Sequence, residues 1–291
     1  MRNLTESNLT DAVLAKMEGA SDRRFEQIMT SLIKHLHAFV REVELTEAEW
    51  FAGIQFLTAT GHKCDDKRQE YILLSDTLGV SMLVDAINHR KPSGATESTV
   101  LGPFYVPGAP EVPSGADIAA GLPGDKAYFS GRVLTPDGKP IAGATLDVWS
   151  TDNEGWYDVQ LAGQPMRARG RIKTDRDGRY AFWTVKPVSY PIPADGPVGK
   201  MLLKMGRHPY RPAHTHMILS APGYEPVTTH VFVEGDPYLE SDAVFAVKNS
   251  LVVTFARHEP GTAPDGRRME QPYYTVKYDF GLVPAKAAKA A

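Results

Sequence analysis

Apolar residues recur at three- and four-residue spacing through Phe25, Ile28, Met29, Leu32, Ile33, Leu36, Phe39 and Val40, which places them on one face of an α-helix. The stripe predicts a helix that faces a core. Thr46 with Glu49 three residues on is a capping-box pattern, and Trp50, Phe51, Ile54, Phe56 and Leu57 continue it as a second helix. A third apolar run, Leu73, Leu74, Leu78, Met82, Leu83, Val84 and Ile87, ends at the breaker Lys91-Pro92-Ser93-Gly94. Beyond a loop rich in Pro and Gly, from Leu101 to Gly124, the period becomes alternating and turn signals come at short intervals. Gly131 to Trp149 reads as strand, Pro136-Asp137-Gly138 turn and strand, and Thr174 to Trp183 repeats that logic around Asp177-Gly178. The pattern predicts an α+β protein with a helical N-terminal domain over 1–100, an antiparallel β-sandwich over 101–283 and a flexible tail over 284–291.

Hydrophobic residues at 42% and charged residues at 23% fit a globular chain that buries a core without staples. A formal net charge of -3 excludes a general electrostatic attraction to nucleic acid or to an anionic bilayer, so any ligand is recognised locally. Cys64 is the only cysteine, which excludes an intrachain disulfide and a thiolate cluster within one chain. Met1 to Ala20 carries acidic residues and no uninterrupted apolar segment, and no later stretch approaches the ~20 apolar residues of a membrane span. A cytoplasmic location is expected, and with it the two glycosylation sequons at Asn3 and Asn8 lose their meaning.

Chemistry first shows in Arg211-Pro-Ala-His214-Thr-His216. In a strand, residues two apart point to one face, so both imidazoles can converge on one point. His35 and His37 have the same spacing, but in a helix it sends them to nearly opposite sides and leaves them as surface residues. Packed or solvent-facing histidines also produce a strand His-x-His. No Asp or Glu lies in the segment to complete a two-histidine, one-carboxylate ferrous site. Tyr157 and Tyr190 sit in turn-rich connections from which a phenol can project toward a shared site, although each by itself reads equally well as a buried, hydrogen-bonded tyrosine.

Five segments, Leu101-Gly-Pro-Phe-Tyr105, Asp152-Asn-Glu-Gly-Trp-Tyr-Asp158, Arg169-Gly-Arg-Ile172, Tyr190-Pro-Ile-Pro193 and Arg211-Pro-Ala-His-Thr-His216, occur in the order and approximate spacing of the intradiol ring-cleavage dioxygenases. The chain resembles that family over nearly its whole length. The resemblance implies one iron(III) per subunit, held by Tyr157, Tyr190, His214 and His216, with Tyr190 as the tyrosinate that leaves to take a substrate proton and Arg211 as the catalytic arginine. It implies that an aromatic vicinal diol is opened by dioxygen between its two hydroxyl-bearing carbons. It also implies a homodimer formed through the N-terminal helices, with phospholipid as an expected companion.

Within the family, Tyr190 to Gly199 and Thr228 to Gly235 are similar to the hydroxyquinol 1,2-dioxygenases. Hydroxyquinol, 1,2,4-trihydroxybenzene, giving 3-hydroxy-cis,cis-muconate or its tautomer maleylacetate, is therefore the expected substrate; catechol, giving cis,cis-muconate, is the alternative. His230 stands where catechol enzymes commonly carry glutamine, and its imidazole can also donate to a bound oxygen. Asp76 is the candidate partner for the third hydroxyl, with an N-cap of the third helix as its competing role. By resemblance Leu73, Val100, Gly102, Pro103, Phe104, Ile192, Pro193 and Val244 form the walls, with Arg211 and His230 also on the substrate. Two other classes compete. A non-catalytic β-sandwich binding module fits the strand and turn pattern alone. A zinc hydrolase on His214 and His216 needs a third ligand and a nearby carboxylate base, for which the sequence offers no motif.

Overall fold

The computed structural model describes residues 2–17, 19–65, 68–161, 163 and 166–285. Six helices are present among them: α1 (Leu9–Leu14), α2 (Arg23–Glu42), α3 (Glu47–His62), α4 (Glu70–Thr77), α5 (Val80–Asn88) and α6 (Pro197–Lys204). The chain divides into two compact units, Met1–Ala59 and Thr60–Ala291.

In the first unit, α2 opens on Asp22, whose carboxylate accepts from the amides of Arg24 and Phe25 at 2.9 and 3.0 Å. The capping box is formed as the sequence predicts: Glu49 accepts from the Thr46 amide at 3.0 Å, and the Thr46 hydroxyl accepts from the Glu49 amide at 3.3 Å. The apolar stripe is helical but does not face a core. Phe25, Ile28, Leu32, Leu36, Phe39 and Val40 are about half exposed, and α2 buries no residue. Periodicity reports which residues share a face, not what covers that face.

In the second unit the third predicted helix is two. Gly79 adopts φ +75° and separates α4 from α5, a left-handed turn that glycine takes at no steric cost. Asp76 lies in the last turn of α4, so it caps neither helix; the residue before α4 is Gln69. Leu73 and Met82 are buried while Leu83, Val84 and Ile87 are exposed.

Two sheets face each other across one apolar core. Side by side, one sheet runs Glu111–Val112, Arg169–Lys173, Thr145–Ser150, His214–Ser220, Val227–Val233 and Val252–Val253. The other is built on Lys126–Leu134, which pairs antiparallel with Arg179–Val185 and parallel with Tyr273–Lys277 and Phe280–Gly281; Ala256–His258 adds to Tyr273–Lys277. The long ladders are antiparallel, and parallel pairs enter mainly with the short edge strands and the C-terminal strands. Both Asp-Gly turns join strands of opposite sheets: Lys126–Leu134 and Thr145–Ser150 lie in different sheets, as do Arg169–Lys173 and Arg179–Val185. Leu146, Val148, Met217, Leu219 and Val231 from one sheet meet Phe129, Val133, Phe182, Val276 and Phe280 from the other. Strand alternation then sends Trp149, His214, His216, His230 and Phe232 to the opposite face, away from this core. There α4 and α6 pack: Leu73, Ile192, Val198, Leu202, Phe232, Val244 and Leu251 form a second core. Of the tail, Pro284 bridges Tyr224 and the Ala285 amide donates to Gly223 at 2.8 Å; the remainder lies outside the described residues.

Candidate metal centre

His214 and His216 occupy one face of a strand, and their Nε2 atoms lie 3.1 Å apart. The Pro212 carbonyl takes the proton of His214 Nδ1 at 2.6 Å, which fixes the tautomer and leaves the lone pair on Nε2. Tyr157, at the end of the 152–157 turn, and Tyr190, on the short strand Tyr190–Pro191, bring their hydroxyls to 3.1 Å of one another. Those hydroxyls stand 3.5 and 3.3 Å from His214 Nε2. All four side chains are at most 5% exposed. The structure thus brings together the four side chains singled out in the sequence.

Tyr157 Oη, Tyr190 Oη and His214 Nε2 lie 3.1–3.5 Å from one another and His216 Nε2 lies 3.1 Å from His214 Nε2, spacings short enough for neighbouring donors to share one small metal ion. Burial keeps all four groups in their neutral forms. Burial pushes the Tyr157 phenol well above its ordinary range, and the neighbouring Tyr190 adds to this. Burial also raises Tyr190, with Arg211 opposing. Burial holds His214 and His216 well below the ordinary imidazole range, so both are neutral and offer lone pairs. Two neutral imidazoles and two phenols packed this closely turn nitrogen and oxygen lone pairs toward one another, the donor set that a bound cation would draw together. A search confined to His, Cys, Asp and Glu gathers His214, His216 and His230, with donor atoms within 4.8 Å. His230 Nδ1 is engaged by the Thr99 hydroxyl and its Nε2 meets no partner among the described residues, which leaves that nitrogen available beside the four.

Neighbouring strands supply the frame. His216 pairs in register with Trp149 on one side and His230 on the other, so all three share a face. The Trp149 indole stacks on the His216 ring at 4.7 Å and 12°. Gly102, at φ +75°, brings its backbone against the same imidazole; a Cβ there would stand 3.1 Å from His216 Cε1.

Arg211 is 3% exposed; its Nη1 lies 3.2 Å from His214 Nε2, its Nη2 has no partner, and its Nε donates to Asp242 at 3.2 Å. Asp242 is itself anchored by the amides of Val244 and Ala246 at 3.2 and 3.0 Å. Sequence reasoning did not find Asp242, Trp149 or Thr99. Aspartate two and four residues ahead of unpaired amides is a turn signal, but nothing local marks its partner 31 residues away.

A cavity of about 590 Å³ is lined by Leu73, Pro103, Phe104 and Pro193 among the expected wall residues, and by Arg68, Tyr105 and Asp158 besides. Ile192 and Val244 are buried in the second core, Val100 packs against it, and Gly102 touches His216; these four do not line that cavity. Asp76 is 5% exposed, and burial raises its carboxyl while Ser81 and Arg211 oppose the shift. No helix among the described residues is long and apolar enough to cross a membrane.

A family model described as dioxygenase matches residues 100–284, and one described as catechol dioxygenase N terminus matches residues 22–96. The chain is 51% identical over 285 residues to a 6-chlorohydroxyquinol 1,2-dioxygenase of Cupriavidus pinatubonensis, covering 98% of this chain and 99% of the relative. It is 47% identical over 281 residues to a hydroxyquinol 1,2-dioxygenase of Nocardioides simplex, covering 96% of each. A crystal structure of hydroxyquinol 1,2-dioxygenase from Pseudomonas putida superposes with a TM-score of 0.91 at 51% identity, over 96% of this chain and 99% of that one.

Proposed function

The chain belongs to the intradiol ring-cleavage dioxygenase family, and from that premise we propose that it opens hydroxyquinol with dioxygen at a ferric ion held by Tyr157, Tyr190, His214 and His216. The convergence of two phenol oxygens and two imidazole nitrogens in a buried site is the observation that carries this reading. Phenolates are hard anionic donors suited to a trivalent ion, and a bound iron(III) would supply a Lewis acid that makes the hydroxyls of a vicinal diol easier to deprotonate.

The chain's own groups do the remainder. Tyr190 Oη would take a proton from one substrate hydroxyl, a role supported by its place on a ribbon of only two strands, apart from both sheets. Arg211 presents its unpaired Nη2 toward the charge that develops on the diol, with Asp242 holding the guanidinium in line. Leu73, Pro103, Phe104 and Pro193 would enclose the ring and exclude water, with Val100, Ile192 and Val244 of the second core and Gly102 beside His216 as the further walls the resemblance implies. Asp76 and His230 Nε2 are the polar groups for a third hydroxyl and a diol oxygen. The half-exposed apolar faces of α2 and of Trp50, Phe51, Ile54 and Leu57 support a homodimer covered by a second copy, with phospholipid alongside. A cytoplasmic location belongs to the same reading.

The test is steady-state turnover of 1,2,4-trihydroxybenzene against catechol with product analysis. Preferred conversion of the triol to maleylacetate is expected; faster conversion of catechol to cis,cis-muconate would move the assignment to the catechol enzymes, and no oxygen uptake with either diol would reject it.

A further inference from the structure

Arg169, in the Arg169-Gly-Arg-Ile172 segment, has no part in the chemistry above, yet it is 4% exposed and ties together three pieces of the site. Its Nε donates to Asp158 at 2.7 Å and its Nη2 closes the fork on the same carboxylate at 2.5 Å. Asp158 directly follows Tyr157, and it also accepts from the amides of Val159 and Arg167 at 2.9 and 3.2 Å. The same Nη2 donates to the Phe104 carbonyl at 2.7 Å. Phe104 in turn lies on the Tyr157 ring, 4.6 Å between centroids and 25° between planes, and Phe104 and Asp158 both line the 590 Å³ cavity. One rigid guanidinium, mounted on a sheet strand, therefore fixes the turn that delivers Tyr157 and the loop that covers it.

We propose that Arg169 is a positioning residue that couples the Tyr157 phenol to the Phe104 wall of the substrate cavity, so that metal ligand and substrate wall move as one. The inference rests on the reading of Tyr157 as a ligand to iron. A guanidinium is required because a lysine ammonium can meet the Asp158 carboxylate but cannot hold the fork and the Phe104 carbonyl together.

The test compares iron-loaded wild type with Arg169→Lys and Phe104→Leu by visible absorption, rate of iron loss to a chelator, melting temperature, kcat and KM. Arg169→Lys should retain iron but shift the tyrosinate band, release iron faster and lower kcat on the order of ten- to a hundredfold, the cost of a misplaced reacting group. Phe104→Leu leaves the ion pair intact, keeping the inference open to test even where Arg169→Lys does not fold. It should shift the band and raise KM at nearly unchanged melting temperature. A merely structural Arg169 would lower the melting temperature of Arg169→Lys and leave its band, iron release and kcat unmoved, which overturns the coupling, as does a Phe104→Leu whose band does not move. A wild type that takes up no iron and stays colourless overturns the ferric site itself, and the coupling with it; a coloured wild type with unaltered variants overturns the coupling alone.

Discussion

Gly102→Ala separates two reasons for a glycine beside the metal-ligand candidate His216. At φ +75° an alanine costs about 1–2 kcal/mol in left-handed backbone strain. Its Cβ would also stand 3.1 Å from His216 Cε1, where carbon atoms prefer at least about 3.5 Å. The ring or the 101–105 loop must therefore yield by roughly 0.4 Å. The ring is held by the stack on Trp149 and by its strand, so relief is shared and costs about 1–3 kcal/mol more, as for other overpacked sites. The sum, roughly 2–5 kcal/mol, corresponds to a fall in melting temperature of roughly 4–20 °C at 2–4 °C per kcal/mol. Gly108→Ala is the matched control: φ is +89°, but nothing lies within 4 Å of its Cβ, so only the backbone strain applies. Calorimetry and the visible spectrum of both iron-loaded variants are the assay. Gly102→Ala should melt lower than Gly108→Ala and alone displace the tyrosinate band. Equal melting and identical spectra would refute the claim that His216 needs this space.

Three further outcomes follow from the same geometry. His214→Ala should bind almost no iron, because it removes the donor nearest all three others, whereas Tyr190→Phe should keep part of its iron and lose activity; equal iron content by metal analysis contradicts these roles. Asp242→Asn sets an amide donor against the Ala246 N–H, or against the Val244 N–H and Arg211 Nε, and removes the charge that pairs Arg211. Stability should drop by about 3 kcal/mol and kcat on the order of tenfold with iron retained, and unchanged kinetics would remove Asp242 from the account. Asp76→Asn should cut kcat/KM for 1,2,4-trihydroxybenzene about ten- to a hundredfold while sparing catechol. Because burial raises the folded-state pKa of Asp76, its ionisation costs stability as pH rises from about 3.9 toward that value. The variant should thus gain stability on wild type between pH 3 and pH 7, and chemical denaturation at both ends reads it.

The His-x-His pair was legible because a two-residue period in a strand has one structural meaning, and the alternation that sends Met217 and Leu219 to the core sends His214 and His216 to the site. Tyr157 and Tyr190 were not legible from their own surroundings; they became candidates through the five-segment resemblance, since a phenol in a turn has no periodicity to betray its direction. Helix periodicity located α2 and the capping box located α3, but the exposure of the α2 stripe depends on what covers it, which a single chain does not encode locally. The break at Gly79 was overlooked because the apolar run continues through it. α6 was missed although Pro197 stands at its first turn, a recognised start signal. Asp242 and Arg169 act through partners 31 and 65 residues distant, and such pairings emerge only when the sheet register is known.

The most direct measurement is the visible absorption spectrum of the purified, iron-loaded protein before and after anaerobic addition of 1,2,4-trihydroxybenzene. Phenolate-to-iron(III) charge transfer should make the resting protein wine-red, and chelation of the diol with loss of one tyrosinate should move the band to longer wavelength. A protein that stays colourless after reconstitution with iron, or a red one whose band ignores the diol, contradicts a substrate-binding ferric site built from Tyr157, Tyr190, His214 and His216.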